Sequence, residues 1–161
     1  MSRITLPHRN VIYLSVLILL SVGLWLPRLR GPLDLRWDGG VYYILGTSLA
    51  EGKGYRLLNE PGEIDAVQYP PLLPLIVAAH QRILGTSDLL VVGQWLRFFY
   101  FFLFAGFTVA AYSLVRPYLS RGSALLAACV GAFSLYTYIF SDMLYTELPF
   151  ALATVMFVIL N

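Results

Sequence analysis

The feature that most constrains this chain is a set of apolar runs long enough to cross a lipid bilayer. The hydrocarbon core of a bilayer is about 30 Å thick, and a helix needs roughly 20 residues to cross it. Only 12% of the residues are charged and 58% are hydrophobic, with a mean hydropathy of +0.72, whereas soluble proteins carry about 25% charged residues. The sequence therefore predicts an all-α integral membrane protein with about four transmembrane helices, at 10–27, 89–115, 122–140 and 147–161.

A fifth apolar run, 69–84, decides the membrane topology. After Pro71 it is too short to span before it reaches the polar residues that begin at His80. Its apolar positions recur at helical spacing, which is typical of an amphipathic helix on a membrane surface; they are Leu72, Leu75, Ile76, Ala79 and Ile83. The surface position and the spanning position of this run place different charges on the two sides of the membrane.

The charge balance favours the surface position. With 69–84 on the surface, all nine carboxylates fall outside, and the cytoplasmic side holds four arginines: Arg3, Arg9, Arg116 and Arg121. If 69–84 spans, the turn at 116–121 moves outside, while Asp142 and Glu147 move inside. Short cytoplasmic loops carry an excess of Lys and Arg. We therefore expect a multi-pass protein of the cell (inner) membrane, with a cytoplasmic N-terminus.

This topology predicts a single membrane domain over 1–161 with one long external segment, 28–88. Two helices are expected in that segment, at 38–51 and 71–84, joined by a polar, turn-rich connection. The basic residues are scattered singly along the chain, so nucleic acid is excluded as a partner. The lipid bilayer is the partner that the composition implies.

The candidate site residues are charged groups near the external face. Asp38 opens the first surface helix and is either a helix N-cap or a carboxylate held as a general base. Asp142 follows the third predicted span and Glu147 begins the fourth, where they either cap and solvate the helix ends or share a site with Asp38. Arg97 lies within a predicted span. It either snorkels to the headgroups or has a functional partner, because a buried membrane charge is costly unless paired.

Several short motifs occur in a recognisable order. Asp38 and Tyr42 form an Asp-x-x-x-Tyr helix start, Gly-Lys-Gly-Tyr follows at 52–55, and Tyr-Pro-Pro-Leu follows at 69–72. A Leu-Gly corner at 84–85, Arg97 and the second acid Asp142 complete the series. In this order the chain resembles the N-terminal part of GT-C superfamily glycosyltransferases, such as the bacterial aminoarabinose transferases that act on lipid A and the protein O-mannosyltransferases.

The resemblance implies a membrane enzyme that transfers a sugar, with inversion, from a polyprenyl-phosphate donor to an acceptor on the external or periplasmic face. It implies that Asp38 deprotonates the acceptor hydroxyl and that Asp142 helps to hold the acceptor or a divalent cation. Arg97 would lie near the lipid phosphate as a charged hydrogen-bond donor. Further residues expected to contact substrate are Tyr42, Lys53, Tyr69 and Glu147.

Two positions differ from the family pattern. Many relatives have an acidic residue directly after the first Asp, where this chain has Gly39, and a Lys before the Pro-Pro pair, where it has Tyr69. A divalent metal ion is therefore a candidate cofactor without assigned ligands. Because the family module needs about seven membrane helices, the chain is expected to be a fragment of a longer enzyme. The alternative is a small four-helix membrane protein that acts as a transporter subunit or assembly factor.

Overall fold

The computed structural model describes residues 8–161, and every regular element in that range is a helix. Arg3 lies outside the described residues, as does the side chain of Arg9. The predicted all-α class is therefore confirmed for the part of the chain that the structure describes. The helices are α1 (His8–Trp25), α2 (Asp38–Ala50), α3 (Leu72–Leu84), α4 (Leu89–Val115), α5 (Arg121–Ala132), α6 (Leu135–Phe140) and α7 (Glu147–Leu160).

Most helix bounds agree with the sequence pattern to within a residue or two. Helix α4 covers the predicted 89–115, and α2 and α3 begin and end within one residue of the predicted surface helices. Helix α1 continues into a short 3-10 turn, Leu26–Arg28. Two helices, Asn10–Arg28 with this turn included and Leu89–Val115, are long and apolar enough to cross a membrane by length and composition.

The third predicted span, 122–140, consists of two helices. Helix α5 has 12 residues and α6 has six, so neither reaches the spanning length. The interruption has a local cause at Ser134, whose Oγ accepts a hydrogen bond from the backbone N–H of Thr137 at 3.3 Å. A serine that bonds three residues ahead is a helix N-cap, and here it starts α6 inside an apolar run.

Contacts divide the chain into two compact units where the sequence predicts one domain. The first unit comprises residues 8–28, Phe101–Tyr138 and Glu147–Asn161, and the second comprises Leu29–Tyr100 and Ile139–Thr146. In the first unit, Leu17 of α1 is buried in a cluster with small residues of α5 and with Tyr112 of α4. Small side chains allow helices to pack closely, and those on α5 are Ala124 and Ala128.

The second unit is built around the packing of α2 on α3. Leu45, Leu73 and Val77 are fully buried between other side chains. Gly46 lets the two backbones approach, because a Cβ atom at this position would be 2.5 Å from Cβ of Val77. Arg82, near the end of α3, donates a hydrogen bond to the carbonyl of Leu49 in α2 at 2.8 Å.

Candidate functional site

The centre of the candidate site is an ion pair between Arg97 of α4 and Asp142. The guanidinium Nη2 lies 2.9 Å from Oδ1 of the carboxylate, and the two side chains are 10% and 28% exposed. Nη1 of Arg97 also donates to the carbonyl of Arg30 at 3.0 Å. The guanidinium of Arg97 thus has a carboxylate and a carbonyl as partners within the protein.

A short backbone bridge holds Asp142 beside the segment that leads into α2. The N–H of Asp34 donates to the carbonyl of Asp142 at 3.1 Å, and the N–H of Leu144 donates to the carbonyl of Asp34 at 3.0 Å. These two bonds form an isolated parallel bridge between Asp34 and Met143. The residue pairs are over a hundred positions apart in sequence, so only the fold brings them together.

The side chain of Asp34 then holds the turn that precedes α2. Its Oδ1 accepts the backbone N–H of Arg36 at 2.9 Å, and its Oδ2 accepts Nε of the same residue at 2.8 Å. Nη2 of Arg36 lies 2.6 Å from Oδ2. The hydrogen bond and charge of Arg36 lower the pKa of Asp34 below its ordinary value despite partial burial, so this carboxylate is ionised at neutral pH.

Asp38 is the first residue of α2, and its side chain is exposed. Its carboxylate forms no hydrogen bond or ion pair with any other described residue. The interpretation of Asp38 as an N-cap is wrong, because Trp37 occupies the cap position and no side chain caps the helix. Next to Asp38, a Cβ atom added to Gly39 would lie 3.5 Å from Cβ of Leu144. The start of α2 therefore packs against the segment that carries Asp142.

Trp37 has a backbone conformation that is unusual for a bulky residue. Its φ is 52° and its ψ is −125°, in the left-handed half of the Ramachandran map, where such residues are rare. Strain of this kind costs of order 1–3 kcal/mol and persists only where surrounding contacts impose it. Here the Asp34–Arg36 contacts immediately before Trp37 and the helix immediately after it impose the conformation.

The predicted substrate-contacting residues of the external segment lie in two places in the second unit. Tyr42 is buried and meets Tyr69 edge to face, with ring centroids 6.0 Å apart. Tyr55 donates its hydroxyl to the carbonyl of Tyr69 at 3.0 Å, and burial raises its pKa. These tyrosines therefore act as packing residues that fix the Tyr-Pro-Pro-Leu segment.

The second of these places contains Lys53, which lies in a local cluster of charged side chains. Its Nζ lies 3.0 Å from Glu51 and 4.0 Å from Glu63. The hydrogen bond and charge of Glu51, followed by the charge of Glu63, raise its pKa. The Gly-Lys-Gly-Tyr turn at 52–55 is thus held by carboxylates on either side of it in the sequence.

Glu147 lies in the first unit, whereas the other predicted site residues lie in the second. It is exposed and is the first residue of α7, where a carboxylate interacts favourably with the helix dipole. The structure thus joins Arg97 to Asp142 directly, and it links Asp142 to the start of α2 through Asp34. Glu147 lies in the first turn of α7, after these contacts in the sequence.

The described residues do not provide a ligand set for the candidate divalent ion. No three His, Cys, Asp or Glu side chains among them are grouped as metal ligands. Two acids of the site, Asp34 and Asp142, are each paired with an arginine.

Asp34, Arg36 and Trp37 are site residues that sequence reasoning missed. In the sequence Asp34-Leu35-Arg36, opposite charges stand two positions apart shortly before Asp38. This spacing was the one sequence signal for a contact between Asp34 and Arg36. It was weak because the same pattern occurs in any exposed extended segment.

Comparison with known proteins adds no family to this geometry: no family model, no curated protein and no solved structure matches the chain.

Proposed function

We propose that this chain is the N-terminal part of a GT-C-type membrane glycosyltransferase, which transfers a sugar from a polyprenyl-phosphate donor to an acceptor at the external face. One observation supports this above the others. Asp38 presents an exposed carboxylate without an internal partner, at a helix start attached to the segment that carries the Arg97–Asp142 pair. Most other charged groups of this site already have partners, so Asp38 is the one available as a base.

The proposed reaction needs one proton acceptor and one electrophilic carbon. Asp38 takes the proton from the acceptor hydroxyl, and the acceptor oxygen forms a bond to the anomeric carbon of the donor sugar. The bond from that carbon to the phosphate oxygen breaks, and polyprenyl phosphate leaves with the electron pair. Attack opposite the leaving group inverts the anomeric centre. Removing such a general base typically costs about 100-fold or more in rate.

The Arg97–Asp142 pair has a positioning role in this proposal. Arg97 uses two of its nitrogens on Asp142 and on the carbonyl of Arg30, which fixes the segment 142–144 against the approach to α2. This assignment replaces the expected direct contact of Arg97 with the lipid phosphate as the main function of the residue. Asp142 holds the helix start of Asp38 in place through the bridge to Asp34.

Exposed apolar side chains support a membrane location for α1 and α4. On α1, Ile12 and Leu19 are 62% and 68% exposed, and on α4 Phe102 is 68% exposed. In water such surfaces would be unfavourable at about 25 cal/mol per Å², whereas hydrocarbon accommodates them. The turn that contains Arg116 and Arg121 is then cytoplasmic by the positive-inside rule, and the external segment faces the periplasm.

The decisive experiment compares Asp38→Asn with Glu60→Gln in membranes that contain the full-length protein. Transfer is followed with radiolabelled sugar on undecaprenyl phosphate. Asn keeps the size of Asp but removes the basic carboxylate, so transfer should fall by roughly 100-fold or more at unchanged membrane yield. Glu60 is an exposed carboxylate of the same unit, and its variant should transfer normally.

Near-normal transfer by Asp38→Asn would show that this carboxylate is not the base. Absence of transfer by the unmodified protein with every sugar tested would favour the alternative, a small membrane protein that serves as a transporter subunit or assembly factor.

A further inference from the structure

Trp37 is the most exposed of the tryptophans, with 72% of its surface accessible. It lies directly before Asp38, in the strained conformation described above. A tryptophan that only filled space would be buried, as Trp25 is at 0% exposure. The fold instead holds a large aromatic side chain outward at the position next to the proposed base.

The outward position is imposed by specific contacts. Asp34 binds both the backbone and the guanidinium of Arg36, which fixes the residue before Trp37. On the other side, the carbonyl of Trp37 accepts the N–H of Gly40 at 3.3 Å, as the first turn of α2 requires. The guanidinium carbon of Arg36 lies 5.6 Å from the centroid of the indole. The ring is thus oriented by its neighbours while most of its surface stays accessible.

We propose that Trp37 is a stacking platform for the sugar ring of the polyprenyl-phosphate donor, an inference that rests on the proposed function. A pyranose has an apolar face of C–H groups and a rim of hydroxyls. The indole supplies a flat apolar surface for the face, while Asp38 and Arg36 flank it with an acceptor and donors for the rim. Because Trp37 and Asp38 are adjacent at the start of α2, a sugar stacked on the indole would lie at the same helix start as the proposed base.

The flanking charges favour a sugar over the bilayer as the occupant. Aromatic residues do anchor proteins at membrane interfaces, so a lipid contact is the competing explanation. Trp37, however, lies within one residue of two ionisable groups, Arg36 and Asp38, and Asp38 has no partner among the described residues. Insertion of the indole would bring that carboxylate toward hydrocarbon, which is costly. A ligand that is apolar on one face and polar on its rim fits these surroundings.

The test measures binding to the full-length protein in nanodiscs. The probes are undecaprenyl phosphate alone and the same lipid linked to mannose, glucose, galactose or 4-amino-4-deoxyarabinose. At least one sugar-linked lipid should change a fluorescence signal that the Trp37→Phe variant lacks, and undecaprenyl phosphate alone should not. Trp37→Leu should weaken binding of that lipid by roughly 2- to 10-fold, and Trp37→Phe should weaken it less because an aromatic face remains.

Trp95→Leu is the matched control, since Trp95 is 52% exposed in the same unit and should not change binding. No fluorescence change with any sugar-linked lipid, an equal change with undecaprenyl phosphate, or quenching of the Trp37 signal by brominated acyl chains would overturn the stacking proposal. Sugar-dependent binding without transfer would support the stacking site and contradict the proposed transferase activity. Normal transfer and normal binding by Trp37→Leu would be consistent with the proposed transferase activity and would contradict the stacking site.

Discussion

The two units of the chain use different interactions, although α4 contributes residues to both. The first unit contains a single carboxylate side chain, Glu147, and its interior is mainly apolar and aromatic, with contacts such as Trp25 with Phe104 at 6.2 Å. The second unit contains every other carboxylate, and the ion pairs described above all lie in it. The difference indicates that the packing of the first unit is mainly apolar, whereas the second unit also contains specific ion pairs.

The largest expected effect is an all-or-none difference between the two units in the labelling of introduced cysteines from outside the cell. In a Cys129→Ala background, single cysteines at Gly62 and Thr146 of the second unit should react with a membrane-impermeant maleimide, and one at Tyr118 of the first unit should not. Ser141 is fully buried, so Thr146 reports on the same turn instead. Labelling at Tyr118 without labelling at Thr146 would mean that 69–84 spans the membrane, and the shared external face would be lost.

The next largest effect separates the two acids that follow α6. Asp142→Asn should reduce sugar transfer strongly, by roughly 10-fold or more, because it removes the partner of a buried arginine and loosens the segment held by Asp34. Glu147→Gln should leave transfer largely intact, since an exposed carboxylate in a first helical turn contributes only about 0.3–1 kcal/mol. Transfer is compared in membranes at matched protein levels, and the reverse ranking would contradict the assignment.

A double variant separates folding from positioning at this pair. The neutral pair Asp142→Asn with Arg97→Gln should recover membrane yield relative to Asp142→Asn alone, because no buried charge is left unpaired. Transfer should stay low in the double variant. Recovery of both yield and transfer would show that the ion pair has no role beyond stability.

A glycine pair tests the close packing of the second unit. Gly46→Ala should lower the free energy of unfolding by about 1–3 kcal/mol, since its Cβ would overlap Val77. Gly23→Ala in α1 of the first unit should not destabilise the protein, because among the described residues no atom outside its own helix turn lies within 4 Å of that Cβ position. The thermal midpoints of both variants in detergent measure this difference, and equal midpoints would contradict it.

The smallest expected effect is a pH dependence of protein stability that comes from the Asp34–Arg36 pair in the turn before α2. The pKa of Asp34 is lowered in the folded protein by Arg36, so its stabilisation is present above the ordinary aspartate pKa of about 3.9. That stabilisation is lost as pH falls through the lower folded pKa. Thermal midpoints measured from about pH 5 downward should therefore fall less in Asp34→Asn than in the unmodified protein. An equal fall in both would show that this pair does not stabilise the fold.

The helices of this protein were predictable because they depend on short-range features. The bounds of α4 follow from one apolar run, and α3 ends at Gly85, whose positive φ of 65° is typical of a helix C-cap. The break between α5 and α6 was missed because hydropathy does not register a single capping serine, Ser134, inside an apolar run. The candidate acids were found by residue type, but their partners were not.

The sequence by itself determined which segments are helical and which residues carry charge, since these properties depend on residues within a few turns of one another. Only the tertiary structure decided that Arg97 pairs with Asp142, that Asp34 holds the turn before Asp38, and that Glu147 belongs to the other unit. Such pairs depend on the path of the chain across tens to more than a hundred residues. That path is selected by the packing of whole helices, because no local pattern encodes which of several charges will meet.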